Sequence, residues 1–188
     1  MNIIVLTSGG KVIARPDTTR VKDGEDVYMP EFVSRLEWTP VLYTKITKSG
    51  RSVGEKFADR YFDSFNIGVL LYPSDLIDGS EEGYACASCL DHTSILNLQF
   101  FDIKSAEKPD NKIVIGNNNN VLYSDNIEFT SIITKSIVEI TKYCWLRVGD
   151  LLAIELRRRT ALCDRHNSPF TISGSLNGKT VFDTRIIF

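Results

Sequence analysis

Residues 38–46 read Trp38-Thr39-Pro40-Val41-Leu42-Tyr43-Thr44-Lys45-Ile46, and residues 67–72 read Ile67-Gly68-Val69-Leu70-Leu71-Tyr72. The first run alternates moderately, with Val41, Tyr43 and Ile46 apolar, and suits a strand. The second is short, continuous and apolar, ends at Pro73-Ser74-Asp75, and suits a buried strand. Between them, Val53, Phe57, Tyr61 and Phe65 recur every four residues, which predicts a helix over residues 52–65 with one apolar face.

The same pattern extends in both directions. Residues 1–6 predict a buried first strand that ends in a Gly9-Gly10 turn, and residues 151–156 predict another strand after the Gly149-Asp150 turn. Gly116 and the four asparagines that follow predict a hairpin turn between residues 112–115 and 121–123, because Asn and Gly tolerate positive φ. A polar loop precedes it, up to Asn111. Asn177-Gly178 predicts a second hairpin. Ile132, Ile133, Ile137 and Ile140 predict a helix over residues 130–143, and residues 79–92 read as loop or short helix. The expected class is α+β and β-rich, with two main helices in one domain over residues 1–188.

Composition bounds the function. In 188 residues the hydrophobic fraction is 43% and the charged fraction 24%, which excludes disorder as the main state. A net charge of −2 gives no bulk attraction to nucleic acid or an anionic membrane. No apolar run approaches the ~20 residues of a membrane span. The N-terminal apolar run is too short for a signal peptide, and four cysteines are too few for a disulfide scaffold. The expected location is the cytoplasm.

Few residues offer chemistry. Cys86 and Cys89 form a CxxC, with His92 three residues on, and Cys163 and His166 form a CxxH. Such spacings can hold zinc tetrahedrally, although the context of a zinc knuckle is missing. Arg157-Arg158-Arg159 could grip a phosphate or an acidic partner, and a solvated loop is the plainer reading. Asp75 and Asp78 would share a helix face, but Asp75 also suits a helix start. Asp91, His92 and Ser94 are too close in sequence to form a hydrolytic triad.

A longer pattern is collinear along nearly the whole chain. It comprises Arg15-Pro16-Asp17-Thr18, Met29-Pro30-Glu31-Phe32, Gly54 to Asp63, Leu146-Arg147-Val148-Gly149-Asp150-Leu151-Leu152 and Leu176-Asn177-Gly178-Lys179. In order and spacing it resembles the fumarylacetoacetate hydrolase-like family. That resemblance implies a mixed β-sandwich roll, a homodimer and Mg²⁺- or Mn²⁺-dependent hydrolysis, decarboxylation or isomerisation of acylpyruvate-type 2-oxo acids. The metal would sit on a Glu-x-Glu pair in one strand and an Asp in a following strand.

The matching positions depart from this pattern. Thr39 and Val41 stand where the Glu-x-Glu pair is expected, Leu70 where the Asp is expected, and Ser88 where a lysine is expected. Glu37 neighbours the pair and is expected on the opposite face. Ile154-Glu155-Leu156-Arg157 replaces a Gly-Thr-Pro loop. Residues 6–15 are too short for the family's His-bearing segment, so the domain is expected to be shortened at its N-terminus. Val and Leu offer no oxygen to a hard cation, so no metal cofactor is expected.

The resulting expectation is a family member without the metal chemistry, serving a binding or regulatory role, with a small acidic ligand as the candidate occupant. Two alternatives stay open. An active hydrolase, decarboxylase or isomerase could use a rebuilt site drawn from Asp75, Asp91, His92, Glu155 and Arg157. A zinc-binding protein could use Cys86, Cys89, Cys163 and His166.

Overall fold

A computed structural model describes residues 1–107, 111–118 and 120–188. The strands are β1 (Ile3–Leu6), β2 (Val12–Arg15), β3 (Val27–Tyr28), β4 (Arg35–Lys45), β5 (Ser64–Pro73), β6 (Ser94–Ile95), β7 (Phe101–Asp102), β8 (Lys112–Gly116), β9 (Val121–Asn126), β10 (Leu151–Glu155), β11 (Thr160–Asp164), β12 (Phe170–Leu176) and β13 (Lys179–Ile187). The α-helices are α1 (Glu55–Ala58), α2 (Glu81–Cys89) and α3 (Phe129–Ile140).

The larger sheet runs in the order β2-β1-β10-β4-β5-β6, with β11 also on β4 and β7 also on β5. β4 and β5 are its long central pair, eleven and ten residues, and they contain residues 38–45 and 67–72 of the two apolar runs. β4 changes neighbours along its length. Residues 41–45 pair with β10, whereas Arg35 to Trp38 pair with β11. Pro40 sits at the gap between those partners, and its carbonyl faces the gap, accepting Leu156 N–H at 2.9 Å. The N–H that proline lacks would have pointed the same way, so a proline is tolerated in a central strand.

Both faces of this sheet are covered. Trp38, Leu42, Leu152 and Ile154 belong to a core shared with α3 and the second sheet. Ile3, Val5, Val41, Tyr43, Leu70, Tyr72, Leu151 and Ala153 form a separate core on the other face. Strands buried on both sides read as continuous apolar runs, as residues 67–72 do. α3 turns Phe129, Ile133, Ile137 and Ile140 inward, and Phe129 stacks on Phe65 with ring centroids 4.5 Å apart.

The smaller sheet runs β3-β13-β12-β8-β9. Both expected hairpins are present, as β8–β9 and β12–β13. Asn177 and Gly178 adopt φ of 51° and 78° at the second turn. At the first turn Asn117 and Asn120 exchange backbone hydrogen bonds. Asn119 lies outside the described residues, as does the part of the preceding polar loop at 108–110.

The helix expected over residues 52–65 is mostly absent. Only Glu55–Ala58 is α-helical, a 3₁₀ turn follows to Tyr61, and Phe65 lies on β5 opposite Phe101. Tertiary bonds override the spacing. Ser52 N–H and Val53 N–H are held by the carbonyl and the hydroxyl of Thr141, at 2.9 and 3.0 Å. Phe57, on the predicted apolar face, is 41% exposed. Residues 79–92 do hold a helix, α2, with the Ser80 hydroxyl accepting Gly83 N–H at 2.9 Å as an N-cap.

Candidate functional site

The structure brings three of the four departure positions together. Thr39 lies opposite Leu70 across the β4–β5 ladder, and Val41 lies opposite Gly68. All of Thr39, Val41 and Leu70 are fully excluded from solvent. Val41 and Leu70 pack within one apolar core, and the Thr39 hydroxyl donates to Arg157 O at 2.7 Å. Ser88 is on α2, its hydroxyl donating to Tyr84 O at 2.8 Å.

The surface around these residues is closed by long side chains: Glu155, a rebuilt-site candidate, Arg159 of the basic run, Arg15 of the family-like pattern, and Tyr72 and Tyr84, to which sequence reading gave no chemical role. Tyr72 is buried at the end of β5, and its hydroxyl donates to Glu155 Oε1 at 2.8 Å. Glu155 Oε2 accepts Ser8 N–H at 2.9 Å. The Arg15 guanidinium sits 4.7 Å from the Tyr72 ring centroid. The Arg159 guanidinium lies 4.9 Å from the Tyr72 ring and 4.8 Å from the Tyr84 ring. Those two rings stack at 5.8 Å.

Arg15 is 1% exposed, so each of its donors needs a partner. Nε donates to Ser88 O, Nη1 to Thr93 O and Ser94 Oγ, and Nη2 to Leu71 O and Thr93 Oγ1. These contacts hold β2, β5 and the end of α2 against one another. Burial pushes the guanidinium below its usual value, and the surrounding Tyr72, Tyr84 and Glu155 oppose that shift. Burial pushes the Tyr72 hydroxyl well above the usual tyrosine value, so it remains a neutral donor to Glu155.

Glu37 corrects an expectation. It lies two residues from Thr39, and side chains two apart share a face. It stands opposite Tyr72 in the ladder, and its Oε2 is 3.7 Å from Arg159 Nη1. The carboxylate therefore belongs to the closed face, and it is paired with a cation.

The rebuilt-site candidates do not converge. Asp75 accepts the Ser34 and Arg35 backbone N–H groups and the Ser34 hydroxyl, which fastens the chain at the start of β4. Asp91 is exposed. His92 is also exposed, with φ of 58°, at the rim of a hollow beside Glu25, Asp26 and Tyr28. Arg157 leaves the face that Glu155 occupies, and its guanidinium lies 4.5 Å from the Trp38 ring and 5.6 Å from the Tyr123 ring. Glu155 alone of the five places its side chain in the closed cluster, which Arg157 touches only through its carbonyl.

The zinc grouping is not formed. Cys86 and Cys89 are exposed on α2, while Cys163 is buried on β11. Among the described residues no three His, Cys, Asp or Glu side chains gather as a metal site would require. No described helix is long and apolar enough to cross a membrane.

A β4–β5 ladder of this kind, inside curled sheets with α3 packed beneath, is the fumarylacetoacetate hydrolase-like fold. No family model matches the sequence, and no curated protein matches it; the likeness is to solved structures. A fumarylpyruvate hydrolase from Pseudomonas aeruginosa, solved with Mn²⁺ and pyruvate, superposes with a TM-score of 0.83 at 12% identity, over 100% of this chain and 90% of that one. A 5-carboxymethyl-2-hydroxymuconate delta-isomerase from Mycobacterium smegmatis gives 0.78 at 14% identity, over 99% and 78%. A maleylpyruvate hydrolase from Sphingobium gives 0.77 at 14% identity, over 99% and 70%.

The residues present do not fit the divalent ion that the resemblance implies. A hard cation takes several oxygen ligands, usually carboxylates. Val41 and Leu70 supply none, and the Thr39 hydroxyl is committed to a backbone carbonyl. Of the two nearby carboxylates, Glu155 is engaged by Tyr72 and Ser8 and Glu37 by Arg159.

Proposed function

We propose that this chain is a fumarylacetoacetate hydrolase-like protein, one domain over residues 1–188, that has lost the metal-dependent 2-oxo acid chemistry and serves a non-catalytic binding or regulatory role. The observation that carries the reading is the state of Thr39, Val41 and Leu70. All three are buried, and two of them form apolar core on the face where carboxylates and water would be needed. Metal-assisted chemistry on a keto acid needs a cation with an open coordination position beside the substrate. In support of the reading, Tyr72, Tyr84, Arg15 and Arg159 pack on one another on that face.

The test is a Mn²⁺ titration followed by electron paramagnetic resonance, run beside a carbon–carbon cleavage assay with an acylpyruvate. The expected result is no saturable Mn²⁺ site and no turnover above the uncatalysed rate. Saturable Mn²⁺ binding that supports cleavage would overturn the reading. On the family resemblance we further propose a cytoplasmic homodimer, to be checked by sedimentation equilibrium of the whole chain.

A further inference from the structure

A second concavity lies away from the closed cluster, mostly on the other face of the larger sheet. It is a cleft of about 740 Å³ between the β1–β2 hairpin and the turn that follows α3. Ile4 and Val12 form part of its wall, and Tyr143 and Trp145 form another. Ile4 belongs to the core shared with α3, whereas its neighbours Ile3 and Val5 point into the opposite core beside Val41 and Leu70. Ile13, which also lines the cleft, packs against that opposite core, so the cleft wraps the β2 edge of the sheet while the rest of its wall lies on the face away from Val41 and Leu70.

Three observations give this cleft a chemistry. Its volume is that of a site for one small molecule. Tyr143 and Trp145 are 65% and 63% exposed, among the largest apolar side chains left in solvent, and both line the same hollow. Exposed aromatic rings around a concavity offer flat stacking surface. Finally, Lys11 and Arg147 also line it, and among the described residues neither side chain has an ion pair, hydrogen bond or ring contact. Among the described residues the nearby Asp150 forms no ion pair with either side chain. Its oxygens are turned inward, accepting Asn2 N–H, Asn2 Nδ2 and the backbone N–H of Arg147 at 2.9–3.2 Å.

We propose that this cleft binds a small planar aromatic carboxylate, with its ring against Tyr143 and Trp145 and its carboxylate paired with Lys11 and Arg147. The aromatic walls select a flat apolar body, and two uncompensated cations select an anion over a neutral or cationic analogue. The inference rests on the reading of the chain as a binding protein in treating the occupant as a ligand rather than a substrate. It does not depend on the state of the former metal positions.

The test uses 2-naphthoate and its neutral isostere 2-naphthamide, titrated into the full chain by calorimetry. Saturable naphthoate binding is expected, with naphthamide weaker by about tenfold. Lys11→Ala with Arg147→Ala brings naphthoate down to the amide's affinity and leaves the amide unchanged, whereas Trp145→Ala weakens both. All three positions are exposed, so thermal melting should verify that the variants remain folded. Absence of saturable naphthoate binding up to about 10 mM overturns the proposal. So does equal affinity for acid and amide, or binding indifferent to these substitutions. The Mn²⁺ titration reports on the opposite face, so either reading can fail without the other.

Discussion

The hydrogen bond from the Tyr72 hydroxyl to Glu155 joins two strands that are not neighbours. Tyr72 is on β5 and Glu155 is on β10, with β4 between them in the sheet. At 2.8 Å the bond bridges β4 on the face that carries Thr39 and Val41. The contact ties together the two strands that flank β4 on that face.

This bond has a measurable worth. Tyr72→Phe removes the donor to Glu155 Oε1 and leaves only Ser8 N–H on the other oxygen. A buried carboxylate with an unmet acceptor costs about 1–3 kcal/mol. The urea midpoint is expected to fall by the corresponding amount at constant m-value. An unchanged midpoint would show that Glu155 finds another donor.

Arg15 is the larger contributor. It serves the carbonyls of Leu71, Ser88 and Thr93 together, and it is 1% exposed. Arg15→Met keeps much of the aliphatic volume but strands the Ser88 and Leu71 carbonyls, while Thr93 O keeps the Leu71 N–H, with an expected loss of about 1–3 kcal/mol for each stranded acceptor. Arg15→Lys is expected to recover little, because a single ammonium cannot reproduce the planar fork that reaches several acceptors at once. Denaturant unfolding of both variants checks the order.

Metal addition is expected to leave stability unchanged. A native-state site with a Kd of about 10 μM would add about 2.7 kcal/mol in about 1 mM Mn²⁺. With Thr39, Val41 and Leu70 in place, no rise in Tm is expected on adding Mn²⁺ or Mg²⁺. A rise in Tm that grows with metal concentration would contradict the absence of a site.

Stability is expected to fall above pH 9. Burial pushes the Cys163 thiol from the usual 9.0 up to about 12, with Asp164 adding to the shift. Between those values the folded chain keeps the proton and the unfolded chain releases it. The unfolded state then binds fewer protons, so unfolding becomes easier as pH rises. The half-buried Cys144 shifts in the same direction. The urea midpoint should drop as pH rises above 9, and Cys163→Ala should shallow that slope. An identical slope in the variant would exclude Cys163 as its source.

Much of the fold was legible in the sequence. The strands of residues 38–46 and 67–72, both hairpins and α3 follow from local periodicity and turn chemistry, which act within a few residues. The helix expected over residues 52–65 failed for the complementary reason. Thr141 holds Ser52 and Val53 from almost ninety positions away, and no local spacing encodes that contact. The face of Glu37 needed only correct counting, since it is two residues from Thr39.

The site divides in the same way. That Thr39, Val41 and Leu70 supply no carboxylate is a property of their side chains and is readable from the sequence. What covers them is not. Arg15 comes from β2, Tyr84 from α2 and Arg159 from the turn after β10, and their meeting over Tyr72 depends on strand order and helix docking. Arg157 shows the limit most plainly, because it lies two residues from both Glu155 and Arg159 yet packs on Trp38. Chemistry at a position is intrinsic to its residue, whereas enclosure is made by distant segments brought together in folding. The sequence by itself therefore determined which atoms are available, and only the tertiary structure decided which of them face one another.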